Sequence, residues 1–216
     1  MPQAFSPTTV LTTKLLFIAV LIAVVAAVLL AEWRMTPEAA QQAAVMQPIL
    51  FSHKHHVGDI GLDCRYCHTS VEKSPFAGMP TTQICLTCHS QLFKDAPMLA
   101  PLHASMASRR PIEWNRVHDL PDFAFFNHSI HIAKGVACIE CHGRIDQMPL
   151  TVRKASLDMQ WCIGCHAKAK EHVRPLGDVF RMTDVRKLSP QDVAELNRLY
   201  QLQDKRRLTD CSTCHR

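Results

Sequence analysis

The 10 cysteines of this 216-residue chain fall into five pairs of identical spacing, Cys64/Cys67, Cys85/Cys88, Cys138/Cys141, Cys162/Cys165 and Cys211/Cys214, with none left over. A histidine follows each pair at once: His68, His89, His142, His166 and His215. The Cys-x-x-Cys-His pattern is the attachment signature of c-type haem. Its two thiols add across the two vinyl groups of one porphyrin, and the next residue then lies beneath the iron as proximal ligand. A zinc ribbon accounts for the spacing from Cys64 to Cys88 but has no use for the trailing histidine. A disulfide framework, the usual fate of exported cysteines, leaves the histidines equally unexplained. The pattern therefore predicts five covalently attached c-type haems.

Distal ligands must come from the histidines outside the motifs. Phe51-Ser-His53-Lys-His-His56 precedes Cys64, and Phe126-Asn-His128-Ser-Ile-His131 precedes Cys138. Both read Phe-x-His-x-x-His, both are followed by a second haem motif, and the copies are offset by about 75 residues. His53 and His128 are placed to fold back onto the haem attached just downstream. His56 and His131, one helical turn later, point toward a neighbouring haem. For the fifth distal ligand the first choice is His118, with His55, His103 and His172 as weaker candidates. Met148, Met159 and Met182 compete with them, because a thioether ligand would raise its haem's potential relative to a second imidazole. Iron with both axial positions filled offers no open site to a substrate, which leaves one-electron transfer. No Ser/His/Asp group, phosphate loop or carboxylate pair stands out, so no catalytic residue is expected and the chain reads as an electron carrier rather than an enzyme.

The elements that must position these groups are short. Apolar residues make up 47% and charged residues 20%, a globular balance that excludes a disordered or low-complexity chain. Much of the apolar content lies in one unbroken run of 17 residues, Leu15 to Ala31, bounded by Lys14 and Glu32. That length suits a transmembrane helix (about 15–31) within an N-terminal segment 1–36, with Trp33 at the interface. A cleaved signal peptide and a buried helix are the alternatives. Lys14 and the amino terminus oppose Glu32, Arg34 and Glu38, which puts the amino terminus in the cytoplasm and the haem domain on the periplasmic, outer face. A linker 37–50, a dihaem module 51–125, a second dihaem module 126–175 and a C-terminal helix with the fifth motif, 176–216, follow. Pro75, Pro80, Pro97, Pro101 and Pro111 break up the first module, while Ser189 to Tyr200 has a cap, a first-turn proline and helical apolar spacing. The expected fold is mainly α with little regular secondary structure, organised around its haems. The net charge of +5 comes with no long basic run, and an exported chain meets no nucleic acid. Haem propionates can absorb it instead, with Arg65, Arg144 and Arg216 as candidate partners.

The run FSHKHHVGDIGLDCRYCHTSVEKSPFAGMPTTQICLTCH, followed by RVHDLPDFAFFNHSIH and MQWCIGCH, resembles the membrane-anchored pentahaem cytochrome c subunit of alternative complex III, built from class III-like multihaem modules. The resemblance implies a subunit of a quinol-oxidising membrane complex of the bacterial cytoplasmic membrane. It also implies, as partners, an iron–sulfur subunit, polytopic quinol-binding subunits and monohaem cytochrome c subunits, with electrons passing toward a monohaem cytochrome or an oxidase. The main alternative is a membrane-anchored multihaem quinol dehydrogenase that feeds periplasmic reductases. An exported multihaem reductase is a third.

Overall fold

The computed structural model describes residues 6–34, 44–183 and 188–215, which belong to two units, Met1–Gln42 and Ala43–Arg216. In the first unit, α1 is a helix of 28 residues, Pro7–Arg34, about 42 Å long at 1.5 Å per residue. It begins well before the apolar run that starts at Leu15. Ser6 Oγ accepts from Thr9 N–H at 3.2 Å, and the Thr12 and Thr13 hydroxyls donate to the Thr8 and Thr9 carbonyls at 2.7 and 2.9 Å. The polar first turns thus satisfy their own groups and extend the helix. None of its apolar window is buried, and it is long and apolar enough to cross a membrane. A single-pass anchor or a signal sequence fits it.

The second unit is a set of short helices joined by loops and tight turns: α2 (Cys64–Cys67), α3 (Thr82–His89), α4 (Ala100–Ser108), α5 (His128–Ala133), α6 (Cys138–His142), α7 (Met159–Ala167), α8 (Pro190–Leu199), α9 (Lys205–Leu208) and α10 (Cys211–Cys214). A π-helical turn covers Lys54–Asp59. The β-structure among the described residues is one antiparallel bridge, Val136 to Val173. Local chemistry starts many of these turns. Asp63, Asp158 and Asp210 each stand before a haem motif helix and accept a backbone N–H of its first turn, from Arg65, Trp161 and Ser212. Ser189 and Asp192 close a reciprocal capping box at 3.1 Å in both directions, with Pro190 at the first helical position.

The aliphatic core is small. Val71, Ile132 and Val179 form one buried cluster with Ala77 and Phe180 against it, and Leu102 and Val179 are the large side chains that are fully buried. Backbone hydrogen bonds between distant loops do much of the fastening. Lys54 N–H donates to Met148 O (3.0 Å), His128 N–H to Pro75 O (3.2 Å), Cys138 N–H to Val179 O (3.1 Å) and Phe125 N–H to Cys214 O (2.7 Å). Each Phe-x-His-x-x-His segment therefore also touches the other half: the first docks beyond the third motif, the second beyond the first motif. The linker expected at 37–50 lies partly outside the described residues.

Candidate haem sites

All five Cys-x-x-Cys-His motifs sit on a helical turn, in α2, α3, α6, α7 and α10. Residues i and i+3 lie on one helix face, so each pair of thiols points the same way with its histidine just beyond. All ten thiols are free, and among the described residues no three or more His, Cys, Asp or Glu gather as a metal cage. Burial raises the thiol pKa of Cys64, Cys67, Cys85, Cys162 and Cys165, and pushes Cys138 and Cys141 up to about 12, with neighbouring negative charge adding to it.

The motif histidines share a second feature. Nδ1 donates to a carbonyl in four of them: His68 to Gly78 (2.7 Å), His89 to Leu92 (3.0 Å), His166 to Leu208 (2.8 Å) and His215 to Phe123 (2.9 Å). A carbonyl can only accept, so the hydrogen is on Nδ1 and the Nε2 lone pair is available to a metal. His56, His128 and His131 are held the same way, on Ser52 O (2.9 Å), Pro75 O (2.8 Å) and Asn127 O (2.7 Å), while His53 Nδ1 meets Thr151 Oγ1 at 2.9 Å.

The two Phe-x-His-x-x-His segments are near copies in space. Phe51 lies edge-on to His53 at 4.9 Å and stacks on His56 at 4.5 Å; Phe126 lies edge-on to His128 at 4.7 Å and stacks on His131 at 4.5 Å. Each phenyl ring fixes both imidazoles of its segment. The second imidazole in each copy then faces the histidine of the second motif downstream, His56 with His89 and His131 with His166, both at 6.1 Å between ring centres. His128 stands 6.5 Å from His142, with the rings 13° from parallel. A metal shared by two imidazoles sets their centres about 6 to 6.5 Å apart, from two bonds of about 2 Å plus the ring radii. The three pairs have that separation, and the residues present fit haem iron.

His53, His118, His128 and His142 form a central group with His68. Burial, then the neighbouring imidazoles, lowers His53 to about 4 and His142 to about 3; burial, then Arg153 and His128, lowers His118 to about 4. Burial also lowers His128 and His131 against the opposing pull of their carbonyl bonds. These rings are neutral at pH 7, the form that binds metal. His118 lies 4.3 Å from His142, too close for a metal between them, and its Nε2 is buried without a hydrogen-bond partner. The sequence offers His118 as the fifth distal ligand; the structure places it beside the third motif, and Phe123 lies 6.0 Å from His215. His103 Nε2 is likewise buried and unpartnered. His55 is exposed and pairs with Asp59 at 3.7 Å, and His172 is held by Glu140 at 3.2 Å. Met159 is 68% exposed, Met182 is buried, and Met148 lends its carbonyl to Lys54.

Two of the arginines expected to meet propionates are already bound to carboxylates. Arg65 forms two 2.8 Å bonds to Asp63 and lies over the Phe180 ring, while Arg144 binds Asp146 at 2.8 and 2.7 Å. Arg216 lies outside the described residues. Sequence reasoning did not single out Arg174, which is 15% exposed and donates Nη2–H to Glu140 at 2.6 Å.

Comparison with known proteins places the same chemistry on both halves. The family model for class III cytochrome c matches residues 31–109, and that for cytochrome c7 and related cytochromes c matches residues 124–216. Neither covers half of the chain. A menaquinone reductase multihaem cytochrome c subunit from Nitratidesulfovibrio vulgaris (strain Hildenborough) is 40% identical over 97 residues, 44% of this chain and 45% of that protein. An acrylate reductase cytochrome subunit from Shewanella woodyi is 32% identical over 89 residues, 41% of this chain and 58% of that protein. The chain spans about half the length of these curated relatives.

Proposed function

We propose that this multihaem c-type cytochrome carries five haems, one on each Cys-x-x-Cys-His motif, and relays electrons in a membrane-bound quinone-coupled respiratory complex. His68, His89, His142, His166 and His215 are the proximal ligands. His56 completes the haem of His89, His131 that of His166, and His128 that of His142. The observation that carries this reading is the set of paired imidazoles at 6.1, 6.1 and 6.5 Å, most of them fixed through Nδ1. Bound haem supplies one-electron chemistry at an iron closed to substrate. The chain's part is to orient the ligands, keep them neutral and hold successive haem motifs close together.

We place the haem unit on the periplasmic face of the cytoplasmic membrane, anchored by α1. The complex is of the alternative complex III type, in which an iron–sulfur subunit, polytopic quinol-binding subunits and monohaem cytochrome c subunits are the partners. A second reading is favoured by the name of the relative from N. vulgaris: the same relay working toward quinone in a menaquinone reductase. Purification of the intact complex from native membranes tests both. Five haems per chain, all low-spin by electron paramagnetic resonance, together with iron–sulfur and polytopic subunits, are expected. Oxidation of quinol by the complex with a cytochrome as acceptor identifies the first reading, and reduction of quinone the second. A stoichiometric high-spin ferric signal, or quinol oxidation by the isolated chain, overturns both.

A further inference from the structure

Arg174 stands where the third and fourth haem motifs meet. Its Nη2–H donates to Glu140 Oε1 at 2.6 Å, and Glu140 Oε2 meets His172 Nδ1 at 3.2 Å. Glu140 lies inside the third motif, and its charge reaches the thiols of both Cys141 and Cys165. The backbone of Arg174 is fixed at both its N–H and its carbonyl, and the residue that holds the carbonyl is itself anchored. Its N–H donates to Gly135 O at 2.8 Å, its carbonyl accepts from the Tyr200 hydroxyl at 3.0 Å, and Lys134 Nζ donates to Tyr200 O at 2.6 Å. Yet Arg174 Nη1 is buried with no hydrogen-bond partner. A buried, unpaired N–H of a charged group is among the costliest polar orphans. The guanidinium fork holds one carboxylate on one edge and presents donors of the same geometry on the other.

We propose that Arg174 Nη1 binds a haem carboxylate, so that the guanidinium bridges Glu140 and a propionate of the haem on the third or fourth motif. The inference rests on the multihaem reading above. Arg65 and Arg144 hold carboxylates too, Asp63 and Asp146, and what marks Arg174 for the role is its buried, unpartnered Nη1. A cation beside a haem disfavours the ferric form, so Arg174 holds that haem's potential up.

The test uses the full-length, haem-loaded chain and redox titrations that resolve individual haems. Glu140→Gln serves as the reference, so that no unpaired Glu140 charge is created when Arg174 is changed. Adding Arg174→Gln should shift one haem's equilibrium toward ferric by about tenfold, about 59 mV for a one-electron couple. Arg174→Lys in the same background should keep the shift under about threefold, since the charge persists. Comparison with His128→Ala and His131→Ala, which alter the third and fourth haem signals respectively, tells which haem moves. Potentials equal to those of the reference in every haem overturn the proposal and leave Arg174 as a partner of Glu140 only. If the Arg174→Gln chain fails to mature, infrared spectra of the unsubstituted protein decide, with 13C-labelled haem carboxylates and 15N-labelled arginine. A carboxylate band sensitive to the arginine label supports the proposal, and insensitivity overturns it. Failure of the multihaem reading itself is separate, because it appears as missing haem or high-spin iron in the unsubstituted protein.

Discussion

An imidazole that commits its Nδ1 hydrogen to a carbonyl has only the Nε2 lone pair left to offer, and its ring plane is fixed by the same bond. His131 meets this condition through Asn127 O and faces His166 at 6.1 Å. Replacing it should leave thioether attachment intact and open one axial position. His131→Ala is expected to keep its full haem content by pyridine haemochrome assay while one low-spin ferric signal becomes high-spin; retention of every low-spin signal would remove His131 from the ligand set. His55→Ala is the contrasting control, because that ring is exposed and paired with Asp59, and its spectrum should match the parent. Attachment chemistry was legible because thiols and proximal histidine must be contiguous in the chain. The partner of each ring was legible only in outline. His118 shows the limit: its sequence position suggests a ligand in search of a haem, but the fold brings it against His142. Arg174 shows the other side of that limit, since the spacing of Arg174 and Glu140 carries no local pattern and their meeting depends on tertiary folding.

At the level of elements, a four-residue helix such as α2 cannot sustain itself, because nucleation costs more than so few hydrogen bonds return. Its cap therefore matters in proportion. Asp63 accepts from Arg65 N–H at 2.8 Å and also pairs with the Arg65 guanidinium, whose hydrogen bond holds the Asp63 carboxyl below its ordinary pKa. Asp63→Ala should destabilise the haem unit by about 1 kcal/mol, and Asp63→Asn, which can still cap, by a few tenths. Because the folded-state pKa is the lower one, the charged form's contribution is fully present above the unfolded value of about 3.9 and fades as pH falls through the folded value. Denaturant titrations at pH 7 and at stepwise lower pH should show the Asp63→Asn deficit in full at pH 7 and shrinking once the pH drops below about 3.9. Gly135 is constrained differently. It has φ +75° after α5, and a Cβ there would strike the Arg174 carbonyl and the Tyr200 ring. Gly135→Ala should cost about 1 to 3 kcal/mol and loosen the Val136 to Val173 bridge, measured by denaturation and by hydrogen exchange at Arg174. The Ser189 cap was legible in the sequence, whereas the Asp63, Asp158 and Asp210 caps came to light only with the helices they start. The sequence could not announce that each repeated segment would also touch the other half, because the bonds from Lys54 to Met148 and from His128 to Pro75 join main-chain groups that every residue possesses.

For the whole molecule, the division at Gln42 and Ala43 separates two kinds of stability. The haem unit has a small aliphatic core, with Leu102 and Val179 as its fully buried large side chains, and large covalently held macrocycles are what such a chain folds around. Maturation should therefore decide folding: a chain exported without haem attachment should lose the protease resistance of the loaded protein, because the buried aliphatic cluster is too small to offset chain entropy alone. The α1 helix needs none of this. Its hydrogen bonds are internal, its apolar side chains are exposed, and its length exceeds the roughly 30 Å of a bilayer core. The anchor and signal readings of that helix make opposite predictions for one experiment. If α1 is retained, the mature protein still contains Pro7–Arg34 and stays with carbonate-washed membranes. Replacing residues 1–42 by a cleavable export signal then gives a haem-loaded Ala43–Arg216 unit with an unchanged visible spectrum that leaves the membrane when salt disrupts its protein contacts. If α1 is a signal, the parent and the replacement yield the same mature chain and partition identically. Mass spectrometry of the mature amino terminus, with sedimentation of washed membranes, separates the outcomes. A retained α1 with five loaded haems is the expected result, since a helix of this length and apolarity holds the proposed relay at the bilayer whatever the salt.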